Sequence, residues 1–299
     1  MPAMAGTAVC EHFLRKIPND YAYKNGWLSD NSKSVSILVM GSSHSYFGID
    51  PVYFSGNAFN AAHVSQSIKY DHFIFSKFID EMDSLEVLIL PISYFSIGSY
   101  GLEKEEDWRV KYYSIYYGCK YHRFEPKYNF EVSDGLQYKG VIKSIMGRIN
   151  HRVCTDLGWG ASYKLENRAD NWKDSGDIAA KRHTQVKIDS SIVAKNNALV
   201  KEMIMKCAQK NACVILLTTP TYQTYREALN QEQLNLMVEC SEGFASGFDN
   251  VYYLNLLDDN RFQEDDFYDA DHLNEYGALK LTTILQQTID SLGLLKISK

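Results

Sequence analysis

The sequence predicts an α/β fold: a doubly wound, three-layer sandwich with a central parallel sheet and a large aromatic-rich insertion. Three observations predict it. Short runs such as Leu85–Ile92 (LEVLILPI) and Ala212–Thr219 (ACVILLTT) are apolar throughout, as strands buried on both faces are. Stretches with apolar residues at helical spacing alternate with them. Between about residues 100 and 190 that alternation stops and tyrosine and tryptophan crowd among charges.

In chain order, residues 11–33 are polar and mixed, with Pro18-Asn19-Asp20 as a turn. Val35–Met40 is short, β-branched and ended by Gly41, which predicts a buried strand. Ala58-Phe59-Asn60 reads as a second short strand. Phe73, Ile74, Phe78, Ile79 and Met82 predict a helix over 68–82, before the strand Leu85–Ile92. After the insertion, Ile192, Val193, Leu199, Val200, Ile204 and Met205 predict a helix over 190–209. The strand Ala212–Thr219, closed by Pro220, follows. Leu229, Leu234, Met237 and Val238 predict a helix over 226–242, and Val251–Leu256 a last strand. Ala278, Leu281, Leu285 and Ile289 stripe a C-terminal helix. This order is that of a flavodoxin-like doubly wound sheet, taken as one domain over 1–299 with an insertion or cap at about 100–190.

Composition narrows the function. The 299 residues carry a net charge of −6, with no Lys/Arg-rich block, which argues against a nucleic-acid partner. The six cysteines form no CxxC pair, so neither a zinc site nor a redox pair is expected; Cys207 and Cys213 read as small buried hydrophobes. No stretch reaches the roughly 18 apolar residues of a membrane span, and residues 1–10 lack the basic start and apolar core of a signal peptide.

The chemistry sits at the two ends. Gly41-Ser42-Ser43-His44 follows the first strand, and Asp269-Ala270-Asp271-His272-Leu273-Asn274 precedes the last helix. Ligands of such sheets bind beyond the C-terminal strand ends, so both motifs fall on one rim. A serine hydroxyl needs a base to take its proton, a histidine can do so near neutral pH, and a carboxylate on the far ring nitrogen fixes the tautomer. The three-residue spacing places Asp269 and His272 on one side of a helical turn, and backbone N–H groups after Gly41 face a developing oxyanion. Other readings stand beside this one. Gly-Ser-Ser after a strand can be a plain turn, Asp269 or Asp271 can cap the last helix, and Asp271 is an alternative partner for His272. His44 adjoins Ser43, but neighbours on a turn point apart, which favours His272 as base; His44 then shapes the pocket. His63 and His183 read as structural or exposed. Tyr112, Tyr113, Tyr116 and Tyr117 read as packing first and as a sugar platform second. Thr218–Tyr222 closes a strand at the same rim.

Gly41-Ser42-Ser43 after a strand, with Asp269-x-x-His272 and Leu273-Asn274-x-x-Gly277, resembles the SGNH (GDSL-type) hydrolase superfamily. Phe59-Asn60-Ala61-Ala62, Ser65-Gln66-Ser67 and Tyr70-Asp71 are similar to SGNH-like proteins of bacterial cell-surface polysaccharide loci. The resemblance covers the sheet, not residues 100–190. It implies Ser43 as nucleophile, His272 as base and Asp269 as its partner, with no metal or organic cofactor. It implies an acylated small molecule or carbohydrate as substrate, and the cell envelope, often with an N-terminal anchor; this chain shows none, so a missing anchor stays open.

Two blocks depart from the family pattern. Residues 60–67 hold no glycine where the family offers an N–H to the oxyanion, so Ser65 or Gln66 must serve. Pro91-Ile92-Ser93-Tyr94 stands where the family has Gly-x-Asn-Asp, leaving the Ser93 hydroxyl or nearby Asn60 as donor. Loss of one donor costs about 10²–10³ in rate. Three functions follow: a serine esterase removing acyl groups, chiefly acetyl, from carbohydrate; an O-acyltransferase using the same residues; or a non-catalytic carbohydrate-binding relic.

Overall fold

A computed structural model of the protein describes residues 2–120, 124–133, 143, 146, 147 and 150–295. The chain forms two compact units, one of Met1–Asp30 with Leu102–Val153 and one of Asn31–Gly101 with Cys154–Lys299. The aromatic-rich stretch expected as one insertion at 100–190 is therefore divided: 102–153 lies with the first thirty residues, and 154–190 with the sheet.

The larger unit holds β1 (Ile37–Val39), β2 (Ala58–Asn60), β3 (Val87–Pro91), β4 (Cys213–Thr218) and β5 (Val251–Asn255) in one sheet of order β2-β1-β3-β4-β5. All neighbours are parallel, with Ile37 opposite both Ala58 and Val87, and Ile89 opposite Ile215. This is the doubly wound α/β sandwich the apolar runs predict. Its helices of six residues or more are α1 (Ser43–Gly48), α2 (Ile68–Phe78), α3 (Ser175–His183), α4 (Ser190–Gln209), α5 (Gln231–Gly247) and α6 (Glu275–Ser291) among the described residues. Strand side chains alternate between two faces. Ile37, Val39, Ile89, Ile215 and Leu217 pack with Leu281, Leu285 and Ile289 of α6. The intervening Leu38, Leu88, Leu90, Val214 and Leu216 are equally buried on the other face, where α4 packs on β4 and against α2. Each such side chain contributes roughly 1.5–3 kcal/mol by leaving water.

Local chemistry shifts some boundaries. The helix expected over 226–242 starts at Gln231, because the Asn230 side chain accepts the N–H of Gln233 and caps it; Leu229 lies outside the helix. Helix α3 was not signalled by its sequence, SGDIAAKRH, whose buried Ala179 and Ala180 pack on Tyr225.

The segment from Cys154 to Arg168 straps across the edge strand and α1. Leu157 accepts the N–H of Asn60 at 2.9 Å, Gly160 N–H donates to Tyr46 at 2.8 Å, and the Trp159 indole donates to the Phe47 carbonyl at 2.7 Å. Gly158 has φ +88°, and a Cβ there would stand 2.1 Å from the Asn60 carbonyl oxygen. Only glycine permits that approach.

Residues 11–33, which run from the smaller unit to its boundary at Asp30 and just beyond, are not irregular as their polarity suggests. Asp20–Asn31 is a helix whose inner face is Tyr21, Lys24 and Leu28, a spacing hidden because one member is lysine. Tyr21 stacks on Tyr112 at 4.9 Å and meets Tyr113 edge-on at 5.2 Å; Tyr113 and Tyr117 are buried. A buried Lys111–Glu131 pair, 3.1 Å apart, is joined by the Tyr116 hydroxyl, which donates to Glu131 at 2.9 Å. These tyrosines pack the unit, the first of the two readings. Among the described residues no helix is long and apolar enough to cross a membrane.

Substituting Gly158→Ala should cost roughly 2 kcal/mol or more through backbone strain and the clash with Asn60. A urea titration followed by tryptophan fluorescence measures it.

Candidate active site

The turn after β1 sets the first half of the site. Gly41 has φ +110°, and a Cβ on it would lie 2.7 Å from Ser45 Oγ and 3.1 Å from the Pro91 ring, so the turn requires glycine. Its N–H donates to buried Asp71 Oδ1 at 2.7 Å, and the Gln66 side-chain amide donates to the same oxygen at 2.7 Å. Burial pushes the Asp71 carboxyl up to about 7. The Ser42 carbonyl accepts the N–H groups of Ser45 and Tyr46, which starts α1 at Ser43. The amides of Ser43 and His44 thus open a helix, where no internal acceptor is available to them.

The second half is a loop, not the helical turn that the spacing suggests. Phe267 and Leu273 form an antiparallel bridge, and Tyr268 N–H donates to the His272 carbonyl at 2.9 Å. Asp269 Oδ1 accepts the N–H groups of Asp271 and His272 at 3.1 and 2.8 Å. Helix α6 is capped by Asn274, not by Asp269 or Asp271. The Asn274 side-chain Oδ1 accepts the N–H groups of Tyr276 and Gly277, while its Nδ2 donates to the backbone carbonyls of Asp265 and Phe267. At Gly277 a Cβ would stand 2.2 Å from the Asp266 carbonyl oxygen. Leu273-Asn274-x-x-Gly277 is therefore the clasp that fixes the loop against α6.

The two halves meet. His272 Nε2 lies 2.8 Å from Ser43 Oγ, and His272 Nδ1 lies 2.9 and 3.1 Å from the Asp269 carboxylate oxygens. A carboxylate only accepts, so Nδ1 carries a proton, and in the neutral ring Nε2 accepts the Ser43 hydroxyl hydrogen. Asp271 stands beside them, 3.6 Å from His272 Nδ1 and 3.5 Å from His44 Nε2. Burial alone would lower the His272 pKa, but Asp269 and Asp271 outweigh it and raise it to about 9. Burial would raise Asp271, yet the imidazoles of His272, His44 and His183 hold it well below the usual carboxylate range. Burial keeps His44 low and takes His183 down to about 3, so both are neutral at pH 7.

The candidate oxyanion donors fare differently. Asn60 donates both amide hydrogens, to the carbonyls of Ser45 at 2.9 Å and Ile49 at 2.8 Å, and so has none for a substrate. Its role is to hold α1 to the sheet. The Gln66 amide is engaged with Asp71. Ser93 Oγ lies 2.9 Å from His44 Nδ1. Ser65 has φ +60°, the left-handed backbone that favours glycine, at the block where the family's glycine is missing. His44 forms a side wall, its ring 5.0 Å from that of His272 and 5.4 Å from Phe95. His183 bonds the Tyr225 hydroxyl at 2.8 Å and packs on Phe95, while His63 is buried. Thr218 spends its hydroxyl on the Ile92 carbonyl at 3.1 Å.

Sequence reasoning missed one wall. Tyr163 of the strap stacks between Phe47, at 3.6 Å, and Tyr268, at 3.9 Å, and presents its edge to His272 at 5.4 Å. Nothing in the polar stretch around Tyr163 signals this.

The ligand-capable atoms of His44, Asp271 and His272 lie within 4.8 Å of one another. Both ring nitrogens of His272 already face Ser43 and Asp269.

No family model matches the chain, and no curated protein matches it. Solved structures resemble it at low identity. A candidate acylhydrolase from Bacteroides fragilis is 11% identical, with a TM-score of 0.43 over 89% of this chain and 95% of its own. A GDSL-like lipase from Bacteroides thetaiotaomicron is 11% identical, with a TM-score of 0.44 over 91% of this chain and 99% of its own. A candidate platelet activating factor from Streptococcus pneumoniae is 11% identical, with a TM-score of 0.42 over 97% and 98%.

Asp71 yields a signed test. Its carboxyl is raised in the folded state, so the native protein holds more protons than the unfolded chain between about pH 4 and about 7, and stability falls as pH rises through that window. Asp71→Asn keeps an acceptor for Gly41 and should flatten the dependence. Asp71→Ala should lose about 1–3 kcal/mol at every pH. Denaturant titrations from pH 4 to 8 distinguish the three proteins.

Proposed function

We propose that this protein is a serine-dependent acyl-transfer enzyme, an esterase acting on acyl groups, chiefly acetyl, carried by carbohydrate. The observation that carries the reading is the Ser43–His272–Asp269 chain: 2.8 Å between Ser43 and His272, 229 residues apart in sequence, and 2.9 Å between His272 and Asp269. A relic site has no need to keep that alignment.

The steps follow from the atoms. His272 Nε2 takes the Ser43 proton as Oγ bonds to the ester carbonyl carbon. Asp269 holds the Nδ1 hydrogen and offsets the charge on the ring. The developing oxyanion faces the amides at the start of α1. Collapse breaks the ester C–O bond, and His272 returns the proton to the departing alcohol. Water then attacks the acyl-serine carbonyl carbon as His272 takes its proton; the acyl C–Oγ bond breaks, His272 returns the proton to Ser43 Oγ, and the carboxylic acid leaves. If a sugar hydroxyl replaces water in the second half, the same residues make an O-acyltransferase.

A fluorophosphonate should label Ser43, and an aryl acetate should turn over. Ser43→Ala should lose labelling entirely and turnover by at least about 10³-fold. Turnover surviving in Ser43→Ala sinks the assignment. Adding oligosaccharide acceptors and looking for acylated product separates transferase from hydrolase.

The base adds a pH prediction. His272 works only when unprotonated, and its carboxylate neighbours make it hold its proton to about 9. The labelling rate should therefore climb across pH 6.5–9 and not level off near the ordinary histidine value. A plateau already reached by pH 7 contradicts it.

A further inference from the structure

Asp271 is the one carboxylate of the site that the acyl-transfer steps above do not use. Its side chain is only 2% exposed, and its two oxygens face two different imidazoles. Oδ1 stands 3.6 Å from His272 Nδ1, and Oδ2 stands 3.5 Å from His44 Nε2. The other nitrogen of His44 lies 2.9 Å from Ser93 Oγ. Ser93 in turn is held at its backbone, where its N–H donates to Ser96 Oγ at 2.9 Å.

Proton bookkeeping fixes the directions. A carboxylate oxygen can only accept, and a neutral imidazole has one N–H. With Asp271 ionised, His44 must present Nε2–H to it. His44 Nδ1 is then a lone pair and takes the Ser93 hydroxyl hydrogen. The chain runs Ser93 O–H to His44, His44 N–H to Asp271, and Asp271 against the same His272 nitrogen that Asp269 holds. Without His44, Asp271 would be a buried carboxylate lacking a donor on one side, which is costly.

We propose that Asp271 is a second carboxylate serving His272, and that His44 and Ser93 are positioning residues which act on the base through it. Ser93 is then not an oxyanion donor in the resting enzyme, because its hydrogen is given to His44. Asp269, whose side chain is 24% exposed, shares with buried Asp271 the task of offsetting the imidazolium. The titratable and charged groups facing this pair are Asp269 on the same loop, His44 on α1, Arg182 and His183 on α3, Tyr163 on the strap and Tyr225. His44 and His272 are the imidazoles whose nitrogens stand 3.5 and 3.6 Å from the Asp271 oxygens, and so the groups through which Asp271 acts.

The role in catalysis rests on the acyl-transfer reading; the proton arrangement does not, and the experiment separates them. In protein labelled with ¹⁵N-histidine, NMR at pH 7 and above should show His44 neutral, protonated on Nε2 with Nδ1 bare. His272 should titrate above 6.5. Asp271→Asn should lower the His272 midpoint by about one pH unit or more. His44→Gln, which keeps an N–H near the Nε2 position, should shift it less than His44→Phe does. A proton on His44 Nδ1 in the unaltered protein overturns the proposal, and this needs no variant to fold. An unmoved His272 midpoint in folded Asp271→Asn overturns it as well. In the kinetic arm, Asp269→Asn should lose roughly 10–100-fold in labelling rate, well short of the ~10⁴ lost where a triad has one carboxylate. Asp269→Asn with Asp271→Asn should lose the remainder. Equal losses in the single and double variants refute the shared role even if the titrations behave. If neither aryl acetate nor fluorophosphonate reacts with the unaltered protein, the function fails and the NMR arm alone decides the proposal.

Discussion

One hydrogen bond of 2.8 Å joins Ser43 to His272 across 229 residues of chain, and the parallel sheet is what makes it possible. Every strand of a parallel sheet delivers its C-terminal end to the same rim. The turn after β1 and the loop before α6 are therefore neighbours by topology. The register of β1 on β3 and β3 on β4 then decides their separation. Apolar packing on both faces holds that register, because a slip of one residue would turn each strand's side chains to the wrong face.

Topology brings the two loops close, but buried polar groups give them their shape. Asp71 holds the Gly41 amide, Asn60 ties α1 to the sheet, and Asn274 clasps the loop that carries Asp269 and His272. Each lies at 2% exposure or less. A buried amide or carboxyl must find its partners, so it tolerates few backbone conformations. The three are thus templates for the loops, which explains why residues that look like candidate chemistry in sequence are spent on architecture.

The strands and the pairing of the end motifs were legible because they rest on local rules. Apolar runs without alternation announce buried parallel strands, and Gly-Ser-Ser and Asp-x-x-His mark the two loops that the sheet brings together. The strand bounds differ by one or two residues, and α5 by five, where the Asn230 cap overrode apolar spacing. Other features depend on contacts between distant segments. Tyr163 reaches the site because Gly158 lets the strap pass close over Asn60, a fact set by one missing Cβ. The helix Asp20–Asn31 stayed hidden because its inner face includes Lys24. Asn60 could be proposed as an oxyanion donor because composition does not show that both its amide hydrogens are already given away.

The strap has a consequence beyond the site. β2 is the terminal strand of the sheet, and a bare sheet edge is a template for pairing with another chain. Leu157 covers part of that edge by accepting the Asn60 N–H, and its neighbours anchor on α1 through Trp159 and Gly160. Tyr163, which walls His272, thus belongs to the same segment that blunts the sheet. Widening the pocket by loosening this segment would also bare a strand edge, so breadth of substrate and resistance to self-association are set against each other in one stretch of chain.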